Sequence, residues 1–539
     1  MKQHQFISHN LQNTDSILAK RISGALGEID ATAIEIAQNA QTIAPSRKKA
    51  RTLDCDQSSE SGSQASSLTE RNDTLSPKRE VNVYEKGVEY ENALGAAAAR
   101  GQETVVRLLL DHGAEVNAKW GGYGTALYAA SKKGHTKIVR LLLDSGADVN
   151  AVMIKEEDES DAEEEDDEVQ DESLRVWRYG VTALHAASKE GHEEIVRLLL
   201  ESGAGINGKG KGKLSALAAA SEGGHMGIVR LLLASGANVK AVFHNNALVA
   251  ASAEGHEKIV NLLLDSGASV HVESRWGRVT ALQAASRGGH DNIVRLLLVR
   301  GAKVNPLVGT SAPLLVASEL GHNKVVRLLL ANGANVNGSF PRTALFAASL
   351  EGHEEITSLL LASSADVNAV NEAGDFTGTA LFAASKNGHE EIVNLLLDNG
   401  AHIDAQSYHG TPLMAASEEG HERIVRLLLD RGADVNTQSG TALVGASGRG
   451  HEMIVRLLLT HGADVNAGGC NSATALFAAS KGGHEKIVRL LLDKGADVYA
   501  KIYGVGTALV GASWGRHEII IQLLRDHAAL NKRTSRPEN

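Results

Sequence analysis

TALYAASKKGHTKIVRLLLDSGADVN, running from Thr125 to Asn150, is the stretch that decides the fold. The hydroxyl of Thr125 suits a helix N-cap. Ala126, Leu127, Ala129 and Ala130 make the first helix thin, so neighbouring chain can approach closely. Gly134 suits the left-handed conformation that ends a helix, and His135 follows at the turn. A second helix carries Ile138, Val139, Leu141, Leu142 and Leu143, too many apolar positions for a lone surface helix. Gly146 ends it, and Ala147-Asp148-Val149-Asn150 leads into an exposed turn. A unit this small cannot bury its own apolar face, so it needs copies of itself on either side.

Those copies exist. The first position recurs at Asn92, Thr125, Thr182, Ser215, Asn246, Thr280, Ala312, Thr343, Thr379, Thr411, Thr441, Thr474 and Thr507. Most spacings lie between 30 and 36 residues, the period of a stacked repeat array. The exception, 57 residues between Thr125 and Thr182, contains an acidic insertion.

The pattern resembles the ankyrin repeat family, whose units read roughly T-P-L-H-x-A-A-x-x-G-H-x-x-I-V-x-L-L-L-x-x-G-A-D-V-N. The resemblance covers residues 91–531 and thirteen copies, and implies an all-α solenoid of stacked helix-turn-helix units. Residues 532–539 form a C-terminal tail. The chain departs from the family pattern in places. Proline stands at the second position only at Pro313 and Pro412, and the Leu-His pair keeps its histidine only at His185. The turn histidine occurs in twelve copies, from His135 to His517, while the first has Gln102. The last copy has Arg516 where glycine is expected and ends on Arg525, Asp526 and His527, which suits a polar C-terminal cap. The first copy, with its run Ala96 to Ala99, suits an N-terminal cap.

Composition agrees with an array. Across 539 residues the aromatic share is 4%, too small for one large aromatic core. Cys55 and Cys470 sit in a polar tail and an inter-repeat turn, which predicts a reducing compartment and no disulfide framework. With no signal-peptide core and no long apolar run, the chain reads as soluble and intracellular, without a membrane partner.

Two segments stand apart from the repeats. In residues 1–44, Leu18, Ile22, Ala25, Ile29 and Ile36 follow three-four spacing, compatible with an amphipathic helix, though Gly24 and Gly27 interrupt it. Residues 45–90 are rich in Ser and charge, and composition predicts disorder. Within them Arg47, Lys48, Lys49 and Arg51 form a basic cluster of the kind import receptors read, or else a solvated charge cluster. The acidic insertion spans 151–175. From Glu156 to Glu172, thirteen of seventeen positions are Asp or Glu. The chain's net charge is −11, so everything outside that segment sums to +2. The insertion is either a tolerated solvated loop or a docking strip for basic segments. Lys209, Lys211 and Lys213 in the next inter-repeat loop offer the nearest opposite charge.

Several motifs that suggest chemistry dissolve on inspection. Gly203 to Lys209 matches G-x-x-x-x-G-K, but Gly210 holds the magnesium-binding Ser/Thr position, and the run follows a helix rather than a strand. Twelve of the twenty-two histidines occupy the same turn, where hydrogen bonds to backbone explain them better than metal does. A catalytic site needs one asymmetric constellation, whereas polar residues here recur along lines. Neither a catalytic site, nor a metal, nor a cofactor is expected. Arg107, Arg140, Arg197, Arg230, Arg295, Arg327, Arg426, Arg456 and Arg489 form a ladder that could face nucleic acid. Glu193, Asp291, Glu422, Glu452 and Glu485 stand four residues before their arginines, and Asp144 four after Arg140. That spacing makes the stripe charge-balanced, and direct nucleic-acid binding is not expected.

Recognition should fall on positions the repeat does not fix. Trp120, Tyr123, Trp177, Tyr179, Phe243, Trp276, Phe340, Phe376, Tyr408, Tyr499 and Tyr503 lie in turns, and Trp514 lies at the inner-helix position before the Gly-His turn. These are the candidate partner-binding residues, since aromatic rings bury large area at low entropy cost. Tyr128, Phe346, Phe382 and Phe477 are candidates for packing between repeats instead. The expectation is a non-enzymatic scaffold for protein partners, in its most specific form a nuclear regulatory adaptor or transcription co-regulator. The alternative is a cytoplasmic scaffold or a ligand-sensing module of immune-receptor-like type. Nucleus is favoured over cytoplasm by the basic cluster.

Overall fold

The computed structural model describes residues 93–118, 124–152, 181–207, 215–240, 246–272, 279–305, 312–338, 342–371, 377–437, 442–468, 473–501 and 506–534. The amphipathic segment, the basic cluster and the acidic run 156–172 lie outside these residues. Among the described residues there are twenty-six helices and no strand, only isolated bridges such as Ser407–Gly410. The helices alternate between a short inner one and an outer one, as in Ala126–Lys133 and Thr136–Asp144.

The local reasons are those of the opening stretch. The Tyr128 amide donates to Thr125 Oγ1 at 3.3 Å, one of the orphan N–H groups at a helix start. Equivalent bonds begin the inner helices at Thr182, Thr343, Thr379, Thr411 and Thr474. At Thr280 the cap becomes reciprocal, because Gln283 Oε1 also accepts from the Thr280 amide at 2.7 Å. Gly134 ends the inner helix at φ +80°, the left-handed region where a side chain is strained. In the outer helix Ile138, Val139 and Leu142 are fully buried, while Leu141 and Leu143 are half-buried. Each fully buried aliphatic is worth roughly 2 kcal/mol of transfer free energy. That stabilisation exists only because a neighbouring repeat covers it.

Two polar tethers run between successive repeats. The first is the turn histidine. His135 Nε2 donates to the carbonyl of Ala99 at 3.0 Å, and His421 Nε2 to that of Lys386 at 2.9 Å. In each case the acceptor stands two residues before the preceding repeat's turn glycine. The histidines are therefore structural, as their regular spacing predicts. The second tether is the asparagine that closes most units. Asn117 Nδ2 donates to Gly146 O at 3.2 Å while its Oδ1 accepts from the Asp148 amide. Asn436 and Asn466 repeat this onto Gly462 and Gly495. Each such bond is worth about 1 kcal/mol net.

The chain divides into two compact units, residues 1–247 and 248–539. In the first, the inner helices Ala93–Ala99, Ala126–Lys133, Ala183–Glu190 and Ala216–Glu222 pack in chain order. The acidic insertion does not part its neighbours. His192 Nε2 reaches Lys132 O at 3.1 Å, and Asn150 Oδ1 accepts from the Gly205 amide at 2.7 Å, both across the insertion. In the second unit the same order runs from Ala281–Arg287 to Ala508–Trp514. Its final outer helix, Glu518–Thr534, has 17 residues where the others have 9, because Ala528 stands where the stopping glycine would be.

Candidate functional site

One column of residues separates the constant framework from what varies. It stands two positions before each turn glycine and reads Ala99, Lys132, Lys189 and Glu222 in the first unit. In the second it reads Ala253, Arg287, Glu319, Leu350, Lys386, Glu418, Gly448, Lys481 and Trp514. The preceding serine is buried in nearly every repeat, and the paired alanines are largely so. The column itself is exposed or half-exposed, apart from Ala99 and Leu350. Its carbonyls are the acceptors of the histidine tethers, as at Lys189 and Glu418. The backbone is thus pinned while the side chain is left free to differ. Neighbouring members also pair with one another: Lys189 Nζ meets Glu222 Oε1 at 2.8 Å.

The candidate aromatics divide sharply. Trp120, Tyr123, Trp177, Tyr179, Phe243, Trp276, Phe340, Phe376 and Tyr503 lie outside the described residues. Tyr408 tips a tight turn and is 88% exposed, edge-on to His409. Trp514 closes the last inner helix and is 57% exposed. Tyr499 has a structural task, since its hydroxyl donates to Ala528 O at 3.1 Å. Ala528 replaces the glycine that the asparagine tether grasps elsewhere, so Tyr499 substitutes for that asparagine. Tyr128, Phe346, Phe382 and Phe477 are buried between repeats.

The arginine stripe is mostly, not wholly, paired as its spacing predicts. Arg107, Arg197, Arg426, Arg456 and Arg489 each meet the glutamate four residues earlier, at 2.8 to 3.3 Å. Arg327 instead reaches Glu355 of the next repeat at 2.6 Å. The expected pairs Asp291–Arg295 and Arg140–Asp144 are absent among the described residues. Aspartate is one methylene shorter than glutamate, and Asp144 follows its arginine in the less favourable helical order. The sequence reading missed a substitution in space. Where the ladder reads Asn261 or Asn394, a guanidinium arrives from the following repeat. Arg300 Nη2 donates to Asn261 Oδ1 and Asp265 Oδ1, both at 2.9 Å, and Arg431 likewise holds Asn394 and Asp398. The signal was legible: both asparagine repeats end in aspartate, and both following repeats carry arginine just after the outer helix.

Two titratable groups lie inside. His185 is 8% exposed, and burial, aided by the Lys189 ammonium, lowers its pKa from 6.5 to about 4. Its Nδ1 meets no partner, so it is held neutral in the core. Burial, then Glu190, pushes Tyr128 from 10.0 to about 12. Gly203, with φ +84°, follows the helix Glu193–Glu201, so the phosphate-loop-like run begins as a helix stop. Among the described residues no group of three or more His, Cys, Asp or Glu could hold a metal, and no helix is long and apolar enough to cross a membrane.

Paired helices, histidine and asparagine tethers, and an inner column of varied side chains define a helical-repeat scaffold of the kind that mediates protein–protein interaction. The model of ankyrin repeats in sets of three copies matches residues 69–153, 161–243, 206–274, 247–340, 282–371, 345–439 and 437–502. The chain belongs to the ankyrin-repeat family. The thirteenth helix pair, Ala508–Trp514 and Glu518–Thr534, lies beyond the matched residues. Comparison with curated protein sequences gives no significant match.

Proposed function

We propose that the chain is a non-enzymatic scaffold that selects protein partners through the side chains of the inner column. The observation that carries this reading is the combination found at Lys189, Glu418 and their equivalents. A carbonyl is fixed by a histidine of the next repeat while the side chain changes identity from copy to copy. Rigid backbone lowers the entropy cost of binding, and varied side chains supply specificity. Affinity purification of the full chain with mass spectrometry tests it. Reproducible protein partners that are lost when column residues are exchanged support the scaffold. Absence of any partner sinks it.

The role assigned to this scaffold is that of a nuclear regulatory adaptor acting on transcription. The basic run Arg47, Lys48, Lys49 and Arg51 supports this, with an acidic strip suited to basic partners. Replacing those four side chains with alanine should move a tagged chain out of the nucleus, read by fluorescence microscopy. An unchanged distribution, or a parent chain already cytoplasmic, favours a cytoplasmic scaffold or sensing module.

A further inference from the structure

The C-terminal end of the inner column differs from the rest. Glu418 and Glu419 are the last acidic residues at the inner-helix ends; the following three repeats carry Gly448-Arg449, Lys481-Gly482 and Trp514-Gly515-Arg516. Arg449 is neutralised by Glu418 at 3.2 Å. Lys481 and Arg516 are exposed and make no ion pair among the described residues. Trp514 holds the column position next after Lys481 and stands two residues before Arg516, and its indole N–H donates to none of the described residues.

That indole is positioned, not merely exposed. Phe477 meets it edge-to-face with ring centroids 6.3 Å apart. Phe477 in turn lies against Gly511, where a Cβ would come within 3.1 Å of its Cε2. After Phe346 and Phe382, the same position in the next repeat is an ordinary alanine, Ala383 or Ala415. Gly511 is the one glycine at this position that follows a phenylalanine repeat (Gly445, the other glycine there, follows Met414), and only here does a tryptophan stand one turn further along. A large aromatic braced in one orientation, with two unpaired cations at neighbouring positions of the same helix-end edge, has the makeup of an interaction hot spot.

We infer that the inner-helix edge of the last three repeats docks an acidic peptide segment of a partner protein, with Trp514 as its aromatic anchor and Lys481 and Arg516 as its carboxylate contacts. This rests on the scaffold reading and adds the chemistry of one partner. Carboxylates match the two unpaired cations and can accept the indole N–H. A nucleic-acid strand is less well served, because tracking phosphates takes a longer run of cations and the outer arginines are largely paired.

The test uses the full chain and three fluorescent probes: a short glutamate-rich peptide with a central phenylalanine, its lysine-rich counterpart, and single-stranded oligo-dT. Anisotropy should show binding of the glutamate peptide, weakening with salt. Trp514→Ala and Lys481→Glu should each weaken it about tenfold or more, whereas Met453→Ala, at an exposed position on an outer helix, should leave it unchanged. Circular dichroism and thermal melts check that each variant folds. Equal binding of both peptides, tighter binding of oligo-dT, or folded variants that bind as the parent does would overturn the inference. The scaffold reading fails separately, when the full chain purifies with no partner at all.

Discussion

Nearly every repeat contains two glycine turns, and they obey different rules. The turn after the outer helix, at Gly400 for example, has φ +85°, and a Cβ added there would meet nothing within 4 Å. The turn after the inner helix, at Gly388, has almost the same backbone, φ +82°. There, however, an added Cβ would come within 2.6 Å of Cε1 of His421 from the next repeat. One glycine answers to a dihedral angle alone. The other must also leave its neighbour's imidazole room to reach a carbonyl. The chain's own exceptions follow this division. Ser364 occupies an outer-turn position at φ +65° in mid-array, and Ala528 removes that turn altogether in the last repeat. The inner turn is glycine in the first twelve repeats, and in the thirteenth Arg516 sits at φ +58°.

The largest effect should come from breaking the inner rule. Gly388→Ala combines left-handed strain with overpacking against His421, together about 3 kcal/mol or more. Hydrogen exchange should show the loss concentrated in the flanking repeats, since repeats couple only to neighbours. A Gly388→Ala chain as stable as the parent would refute the role given to the histidine.

Next comes the contrast between turn histidines and the one in the core. His185 titrates at about 4 when folded and near 6.5 when unfolded, because burial disfavours its charged form. Above pH 6.5 both states are neutral and the group contributes nothing to the pH dependence. As pH falls from 6.5 to 4 the unfolded chain takes a proton that the folded chain refuses, so stability drops by about 3 kcal/mol. His185→Phe, the residue used at this position in three other repeats, should flatten that part of the pH–stability curve relative to the parent. Urea titrations at several pH values read this directly, and parallel curves would place His185 in contact with water.

The outer rule predicts smaller changes of both signs. Gly400→Ala should cost about 1 kcal/mol, the left-handed penalty without a collision. Arg516→Gly should gain up to about the same amount, because it releases that penalty at an exposed position. Matched denaturation curves test the pair, and a destabilised Arg516→Gly chain would show that the arginine makes a contact of its own. Smallest of all, deleting 156–172 should shift stability by no more than about 0.6 kcal/mol, since closure entropy grows only slowly with loop length. The tethers from His192 and Asn150 already span the insertion. A large loss of stability on deletion would give the acidic strip a packing role.

The sequence by itself determined the repeat, its period and its two helices. Those depend on short-range chemistry: Thr125 caps three residues on, Gly134 stops a helix, and Ile138, Val139 and Leu142 share one face. Recurrence of the turn histidines also ruled them toward structure, and their bonds to backbone agree. Tertiary structure alone decided what lies 28 to 55 residues apart, such as Arg327 on Glu355 or Gly205 on Asn150. It decided that Arg300 and Arg431 replace missing arginines of the preceding repeat, that Tyr499 stands in for an asparagine, and that Phe477 braces Trp514. The physical reason is distance. A periodic sequence names the residues on each rung, but which rung a long side chain reaches depends on how closely thin, alanine-rich helices stack.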